Sequence, residues 1–274
     1  MKEKIVFKSA VSPTLLIPLF VRAQESKRSD AILYDEMAEK LLDAIDYDFS
    51  NLTQNYESAL CCVVRARYFD DCLVDYCSKH SNVVIVNVGC GLDTRFQRIG
   101  HKAKATYYDF DLPDVIALRK KLIPESEHNI FLSGSVLDSD WLKFLYTKHK
   151  NDNIVFVFEG VLMYFDKKDV IHVFNNISSH FNKGELYFEM FGNRVQASGI
   201  DALEGFNVSF KCYVSESGDI ANWNNSLQLV EQKAHTDIRP ERWGFKGVLS
   251  SLSPKMATQE GSLFRYRITK TDHL

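Results

Sequence analysis

The chain has 274 residues, of which 45% are hydrophobic and 25% are charged, and its formal net charge at pH 7 is -3. This length and balance are typical of a soluble globular protein with one large or two small domains. The weak negative charge gives no electrostatic footprint for nucleic acid, and the apolar run over residues 15–20 is too short to span a bilayer. We therefore predict neither a nucleic-acid partner nor a membrane location.

The cysteines and histidines give no sign of a metal site. The six cysteines, at positions 61, 62, 72, 77, 90 and 212, form no CxxC pair, and the eight histidines show no ligand spacing. The N-terminal apolar run also lacks the small-residue cleavage site of a signal peptide. We expect reduced, mostly buried thiols, no metal, and a cytoplasmic location.

The first 80 residues have the apolar spacing of helices. Asp30 is expected to cap a helix whose apolar positions, from Leu33 to Ile45, recur with a period near 3.6. A second helix is predicted over residues 57–77. We interpret residues 1–80 as a helical cap.

Short apolar runs alternate with helical segments after this cap. The predicted strands are residues 83–88, 105–110, 130–132, 154–158 and 185–191. The predicted helices between them are residues 112–122, 141–148 and 168–181. Two late strands, 227–233 and 264–268, close the pattern. The alternation predicts an α/β fold over residues 81–274, a doubly wound, mostly parallel Rossmann-like sheet that ends in an antiparallel hairpin.

The stretch IVNVGCGLDTR, residues 85–95, places two glycines directly after the first predicted strand of this sheet. Ligands of such folds bind outside the carboxyl ends of the strands. Gly89 and Gly91 let the backbone turn sharply and approach a ligand closely. Thr94 stands where a dinucleotide-binding loop has its third glycine, which disfavours the alternative of an NAD-dependent oxidoreductase.

Two carboxylates narrow the choice of ligand. Asp111 ends the second predicted strand, 20 residues after Gly91, where a carboxylate accepts hydrogen bonds from both ribose hydroxyls. Asp109 is expected to orient the loop rather than bind ribose. Asp93 lies in the loop, where it would repel a diphosphate and attract an ammonium group. These residues favour a nucleoside without phosphates, and S-adenosyl-L-methionine fits that description.

Five stretches carry a resemblance to a known family. They are RAQESKRSDAILYDEMA, VVRARYFDD, VNVGCGLDTRF, YYDFDLPDVIALRK and FVFEGVLMYF. They occur in the order found in the leucine carboxyl methyltransferase family, and the chain resembles that family over roughly residues 12–195. RAQES and RARYFDD look closer to its bacterial small-molecule and polyketide O-methyltransferase branch. The resemblance implies S-adenosyl-L-methionine as cofactor, S-adenosyl-L-homocysteine as product and a small-molecule acceptor.

The resemblance also implies roles for particular residues. Arg65 and Arg22 match basic residues that reach the methionine carboxylate of the cofactor, and a guanidinium offers a planar fork for that contact. Gly89 and Gly91 would line the methionine and ribose portion. Glu159 matches a glutamate beside the cofactor, and it is a candidate catalytic residue.

The acceptor and adenine contacts are implied in the same way. Tyr164 matches a tyrosine that faces the substrate carboxylate, and it is the second candidate catalytic residue. Near the adenine the family often has an Asp-Leu pair, and Ser135 and Val136 align with it. Either Ser135 or Asp138 is the candidate for the adenine contact. The segment from Gly192 to Gly218 is expected to shape the acceptor pocket.

The reaction expected on these grounds is O-methylation of a carboxylate or acidic phenol. A carboxylate is ionised at pH 7 and needs no general base, whereas an alcohol or ordinary phenol would need Glu159 or a histidine as base. Two alternatives are a protein C-terminal carboxyl methyltransferase and a non-catalytic protein that binds S-adenosyl-L-methionine. The sequence does not indicate an oligomeric state.

Overall fold

The computed structural model describes residues 2–5, 12–52, 56–198, 208–214 and 217–269. Its strands are β1 Glu3–Lys4, β2 Ile45–Asp46, β3 Val83–Val88, β4 Thr106–Asp111, β5 Asn129–Ser133, β6 Asn153–Phe158, β7 Glu185–Phe191, β8 Leu227–Ala234 and β9 Gly261–Ile268. Its α-helices are α1 Leu16–Ser26, α2 Glu36–Ala44, α3 Tyr56–Lys79, α4 Arg95–Ile99, α5 Pro113–Leu122, α6 Asp140–His149, α7 Lys167–His180, α8 Asn193–Ser198, α9 Ser217–Trp223, α10 Phe245–Leu252 and α11 Pro254–Glu260.

Seven strands form one sheet in the order β5-β4-β3-β6-β7-β9-β8. All neighbours are parallel except that β9 runs antiparallel to both β7 and β8. Because β3 pairs with β4 on one side and β6 on the other, the strand order reverses at β3. Ligands of doubly wound sheets bind at the carboxyl ends of the strands beside such a reversal.

The predicted α/β fold is confirmed. The central strands were predictable because helices cover both faces of a parallel sheet, so these strands are continuous hydrophobic runs. Every residue of β3 is buried, as are the last five residues of β6. The late antiparallel pair is present, but α10 and α11 connect its strands in place of a tight turn.

The expected helix cap at Asp30 is wrong. Helix α2 begins at Glu36, and the carboxylate of Asp35 accepts a hydrogen bond from the Ala38 amide at 2.9 Å. Asp35 is also held by Arg22, at 2.8 Å, and is 1% exposed. Asp30 is half-exposed and pairs with Arg28 instead. Asp35, and not Asp30, stands directly before the first helical residue, and its carboxylate can therefore reach the Ala38 amide.

The N-terminal helices cover the carboxyl edge of the sheet. Apolar side chains of α1, α2 and α3 form one buried cluster with Cys90 and Leu92 of the loop after β3. The loop after β3 is thus enclosed between the sheet and these helices.

Among the described residues, no helix combines the length and the apolar character that crossing a bilayer would require.

Candidate active site

A cavity of about 530 Å³ lies between the N-terminal helices and the carboxyl ends of β3 to β6. Ten of the residues that the sequence singled out as site candidates line it. The ten are Arg22, Arg65, Gly89, Gly91, Asp93, Asp111, Ser135, Val136, Glu159 and Tyr164. The structure therefore brings them together, and what each one binds stays a prediction.

The loop after β3 forms the floor of the cavity. Gly89 and Gly91 have φ angles of 68° and 50°, which L side chains rarely adopt. A Cβ at Gly89 would collide with the side chain of Val161. The amide of Gly89 donates to the carbonyl oxygen of Phe110 at 2.8 Å, so the loop is tied to the end of β4.

Asp111 stands at the end of β4 on the cavity wall. One carboxylate oxygen accepts from the Gly91 amide at 2.7 Å and the other from the Leu112 amide at 2.7 Å. Burial raises the pKa of this carboxyl, and the two amides oppose that effect. A carboxylate has about four acceptor positions, so Asp111 keeps two for a ligand.

Asp109 lies outside the cavity. Its carboxylate accepts from Arg119 at 2.5 Å and from Asn129 at 2.7 Å. Arg119 in turn donates to the carbonyl oxygen of Gly91 at 3.1 Å. Asp109 thus holds the glycine loop through Arg119, which agrees with its expected part in orienting the loop.

Asp93 is surrounded by guanidinium groups. Its carboxylate lies 2.7 Å from Arg98, 3.1 Å from Arg95 and 3.9 Å from Arg22. Burial alone would raise the pKa of this carboxyl, but the three arginines bring it well below its usual value. The charge of Asp93 is therefore compensated inside the protein, whereas Asp111 receives only backbone amides as hydrogen-bond donors from the described residues.

Thr94 provides a first testable prediction about the loop. Its hydroxyl is buried, donates to Asp35 at 2.5 Å and accepts from Arg98 at 3.1 Å. Thr94→Gly restores the third glycine of a dinucleotide loop, yet we expect it to destabilise the protein by about 1–3 kcal/mol without creating NAD binding. Urea unfolding and calorimetric titration with NAD measure the two effects.

Thr94→Ser is the matched control, because it keeps the hydroxyl, and we expect stability close to that of the wild type. A glycine variant as stable as the serine variant, or one that binds NAD, would contradict this explanation.

Arg65 of α3 reaches the cavity wall between two glutamates. Its Nε donates to Glu159 at 3.2 Å, and its Nη1 forms an ion pair with Glu189. Nη2 donates to no described residue and lies 2.8 Å from the position that a Cβ of Gly160 would take. The second oxygen of Glu159 accepts from Arg95. Glu159 thus orders two arginines, and Nη2 of Arg65 is available to a ligand.

The sequence offers two residues, Ser135 and Asp138, for the adenine contact. Ser135 and Val136, in the loop after β5, line the cavity. Asp138 does not line it and instead borders a neighbouring hollow beside Trp141, which shares Gly134 and Ser135 with the cavity. The structure therefore places Ser135, and not Asp138, at the wall of the main cavity.

The part of the cavity around Tyr164 is mostly apolar. Tyr164 ends the 3-10 turn Leu162–Tyr164, and its ring lies 5.5 Å from that of Phe210, which stacks on Phe191 at 4.8 Å. Ile17 and Met163 complete this wall. Burial raises the pKa of the Tyr164 hydroxyl, so this group is a neutral hydrogen-bond donor at pH 7.

For this part of the cavity the sequence predicted a segment of the chain and, apart from Tyr164, no individual residues. Of the segment from Gly192 to Gly218, Val195 and Phe210 line the cavity, while residues 199–207 and 215–216 lie outside the described residues. Lys246 was missed. It lines the cavity, and its ammonium lies 2.7 Å from Glu57 and 2.9 Å from Glu260. No local pattern indicates that pairing, because the partners are far apart in sequence.

Cys61 and Cys62 also line the cavity. Burial raises the pKa of both thiols, so they are neutral at pH 7. No histidine is found among the described residues that line the cavity. Within the described ranges, no group of three or more histidine, cysteine or acidic side chains is placed to hold a metal ion.

Comparison with known proteins adds to this geometry. The family model for leucine carboxyl methyltransferases matches residues 16–178. A tetracenomycin polyketide synthesis O-methyltransferase from Streptomyces glaucescens is 32% identical over 181 residues, which are 66% of this chain and 66% of that protein. An S-adenosyl-L-methionine-dependent methyltransferase from Gibberella zeae is 26% identical over 210 residues, 70% of each chain.

A solved structure shows the same fold. A proposed methyltransferase from Thermobifida fusca superposes with a TM-score of 0.58 over 91% of this chain and 94% of that chain, at 15% identity. At this identity the likeness concerns the arrangement of strands and helices.

Proposed function

The chain belongs to the leucine carboxyl methyltransferase family, whose methyl donor is S-adenosyl-L-methionine, and we propose that it transfers a methyl group from this cofactor to an oxygen atom of a small metabolite. One observation carries the proposal. A single cavity joins the Asp111 carboxylate, the available Nη2 of Arg65 and an aromatic wall around Tyr164. These are binding groups for a nucleoside, a carboxylate and an apolar acceptor.

The residues of the cavity suit this cofactor. Asp111 offers acceptor positions to ribose hydroxyls, and Arg65 offers a donor to the cofactor carboxylate. Gly89 and Gly91 themselves present no side chain to the cavity, so the backbone of the loop can approach a ligand closely at these two positions. The volume of about 530 Å³ lies within the range of sites for small molecules. When bound, the cofactor supplies a methyl group that its sulfonium has already activated.

The chain then has to orient the acceptor and exclude water. The N-terminal helices close the cavity from one side, and Leu15, Ile17 and Pro18 present apolar surface to it. The neutral Tyr164 hydroxyl donates a hydrogen bond to an acceptor carboxylate and aligns it with the methyl group. Such alignment is the main requirement, because the leaving group is already good.

The acceptor class follows from the lack of an available general base among the described residues that line the cavity. Glu159 is engaged by Arg65 and Arg95, and no histidine occurs among the described lining residues. A carboxylate or an acidic phenol is deprotonated without help from such a base. The apolar wall and the similarity to the Streptomyces enzyme support a polyketide-like metabolite. We expect turnover with acceptors of that kind.

Calorimetric titration tests the cofactor. We expect the purified protein to bind S-adenosyl-L-methionine and S-adenosyl-L-homocysteine, and not NAD. Methyl transfer to a panel of aromatic carboxylic acids, phenols and alcohols, detected by mass spectrometry, then tests the reaction. Binding of NAD alone would contradict the proposal. Cofactor binding with no turnover on any acceptor would favour the non-catalytic alternative.

A further inference from the structure

A buried chain of polar groups lies behind Arg65, outside the cavity. Glu189 of β7 is 0% exposed, and one of its carboxylate oxygens forms the ion pair with Nη1 of Arg65. Its other oxygen lies 3.2 Å from Nε2 of His235, which is 5% exposed. Neither Glu189 nor His235 lines the cavity. The hydrogen-bonded path from His235 to the cavity therefore passes through Glu189 and Arg65.

The buried carboxylate of Glu189 depends on Arg65 and His235 for its hydrogen bonds and its charge compensation. Burial alone would raise the pKa of its carboxyl, but Arg65 and His235 together bring it below its usual value. A fully buried carboxylate is costly unless its oxygens are paired and hydrogen-bonded. Each oxygen of Glu189 has one described partner, so neither partner can be removed without leaving a buried acceptor unsatisfied.

The imidazole of His235 is itself held in place. It belongs to the 3-10 turn His235–Asp237, and its ring stacks on Phe191 at 6.0 Å with an angle of 17° between the planes. A Cβ at Gly261 would lie only 3.1 Å from Nδ1, so the glycine leaves space for the ring. The Asp237 carboxylate accepts from the Ala234 amide at 2.8 Å and caps the turn.

We propose that Glu189 and His235 are positioning residues that fix the guanidinium of Arg65 so that Nη2 meets the carboxylate of the cofactor. The inference deepens the proposed function and rests on it. A guanidinium is planar and rigid, so holding Nε on Glu159 and Nη1 on Glu189 sets the direction of the third nitrogen. Without His235, the unsatisfied oxygen of Glu189 draws the guanidinium of Arg65 toward itself and withdraws Nη2 from the cavity.

The test compares two ligands that differ in the amino-acid group, and therefore in the carboxylate. S-adenosyl-L-homocysteine carries it, whereas methylthioadenosine has the same adenine, ribose and thioether but no amino-acid group. His235→Phe keeps a ring to stack on Phe191 and removes the donor to Glu189. We expect calorimetry to show about ten-fold weaker binding of S-adenosyl-L-homocysteine, with the affinity for methylthioadenosine unchanged. His235→Gln restores an amide donor, and we expect it to recover part of the loss.

His149→Phe is the matched control. His149 also bonds to a carboxylate, that of Asp152 at 2.8 Å, and to the Tyr108 hydroxyl at 2.8 Å, but these hydrogen bonds do not lead to Arg65. We expect it to leave the affinities for both ligands unchanged. Equal weakening of both ligands by His235→Phe, or no weakening of either, would overturn the inference. A wild-type protein that binds neither ligand would overturn the proposed function instead, before any variant is compared.

Discussion

Replacing Arg95 with methionine is expected to lower the free energy of unfolding by about 3–5 kcal/mol. Arg95 is 1% exposed at the start of α4, and it donates to Asp70 at 2.9 Å, to Asn87 at 2.8 Å and to Glu159. Asp93 lies 3.1 Å away. Methionine keeps much of the side-chain length, but it leaves buried carboxylates with one cation fewer, and that loss of pairing is the source of the cost.

Urea unfolding of the two proteins measures the difference. Arg67→Met is the matched control, because Arg67 is half-exposed and pairs with Asp71 at 2.7 Å on the surface of α3. We expect that variant to lie within about 0.5 kcal/mol of the wild type. If both variants unfold at the same urea concentration, the buried network around Arg95 contributes no net stability.

The central sheet and the glycine loop were predictable because their signals are local. Both faces of β3 and β6 are buried, so each of these strands appears as a short, mostly apolar run. The bounds of the predicted strands agree with the observed ones to within three residues. Glycines directly after a strand mark the ligand edge by the same local reasoning.

The buried ion pairs were not predictable, because their partners are distant in sequence. Asp35 caps α2 while it also binds Arg22, which belongs to another helix. The pair between Lys246 and Glu57 spans 189 positions, and that between His235 and Glu189 spans 46. Neither the periodicity of apolar residues nor the spacing of motifs indicates pairs so far apart in the sequence.

The site was predicted as a set of residues, but its charge balance was not. The resemblance placed Arg65 and Glu159 near the cofactor, and the sequence of the glycine loop placed Asp93 there. Neither showed that Glu159 binds two arginines, or that three arginines surround Asp93. The structure therefore changes the expectation for Asp93, whose charge is compensated by the protein before any ammonium group arrives.

Replacing Arg65 with methionine is expected to weaken the binding of S-adenosyl-L-homocysteine by about 1.5–3 kcal/mol. The lost interaction is a charged hydrogen bond from Nη2, the one guanidinium nitrogen that donates to no described residue. Calorimetric titration measures the change. Arg65→Lys keeps the charge but not the planar fork, so we expect it to recover only part of the affinity.

The Arg65 variant has a second effect that has to be separated from the first. It leaves Glu159 and Glu189 without their shared cation, so we also expect a loss of stability. Methylthioadenosine separates the two, because its binding depends on an intact pocket and not on a carboxylate contact. Arg22→Met is the comparison, since Nε and Nη2 of Arg22 are already engaged by Asp35 and by the carbonyl oxygen of Leu92. A larger loss of affinity for S-adenosyl-L-homocysteine in the Arg22 variant than in the Arg65 variant would show that Arg22, and not Arg65, makes the main contact with the carboxylate.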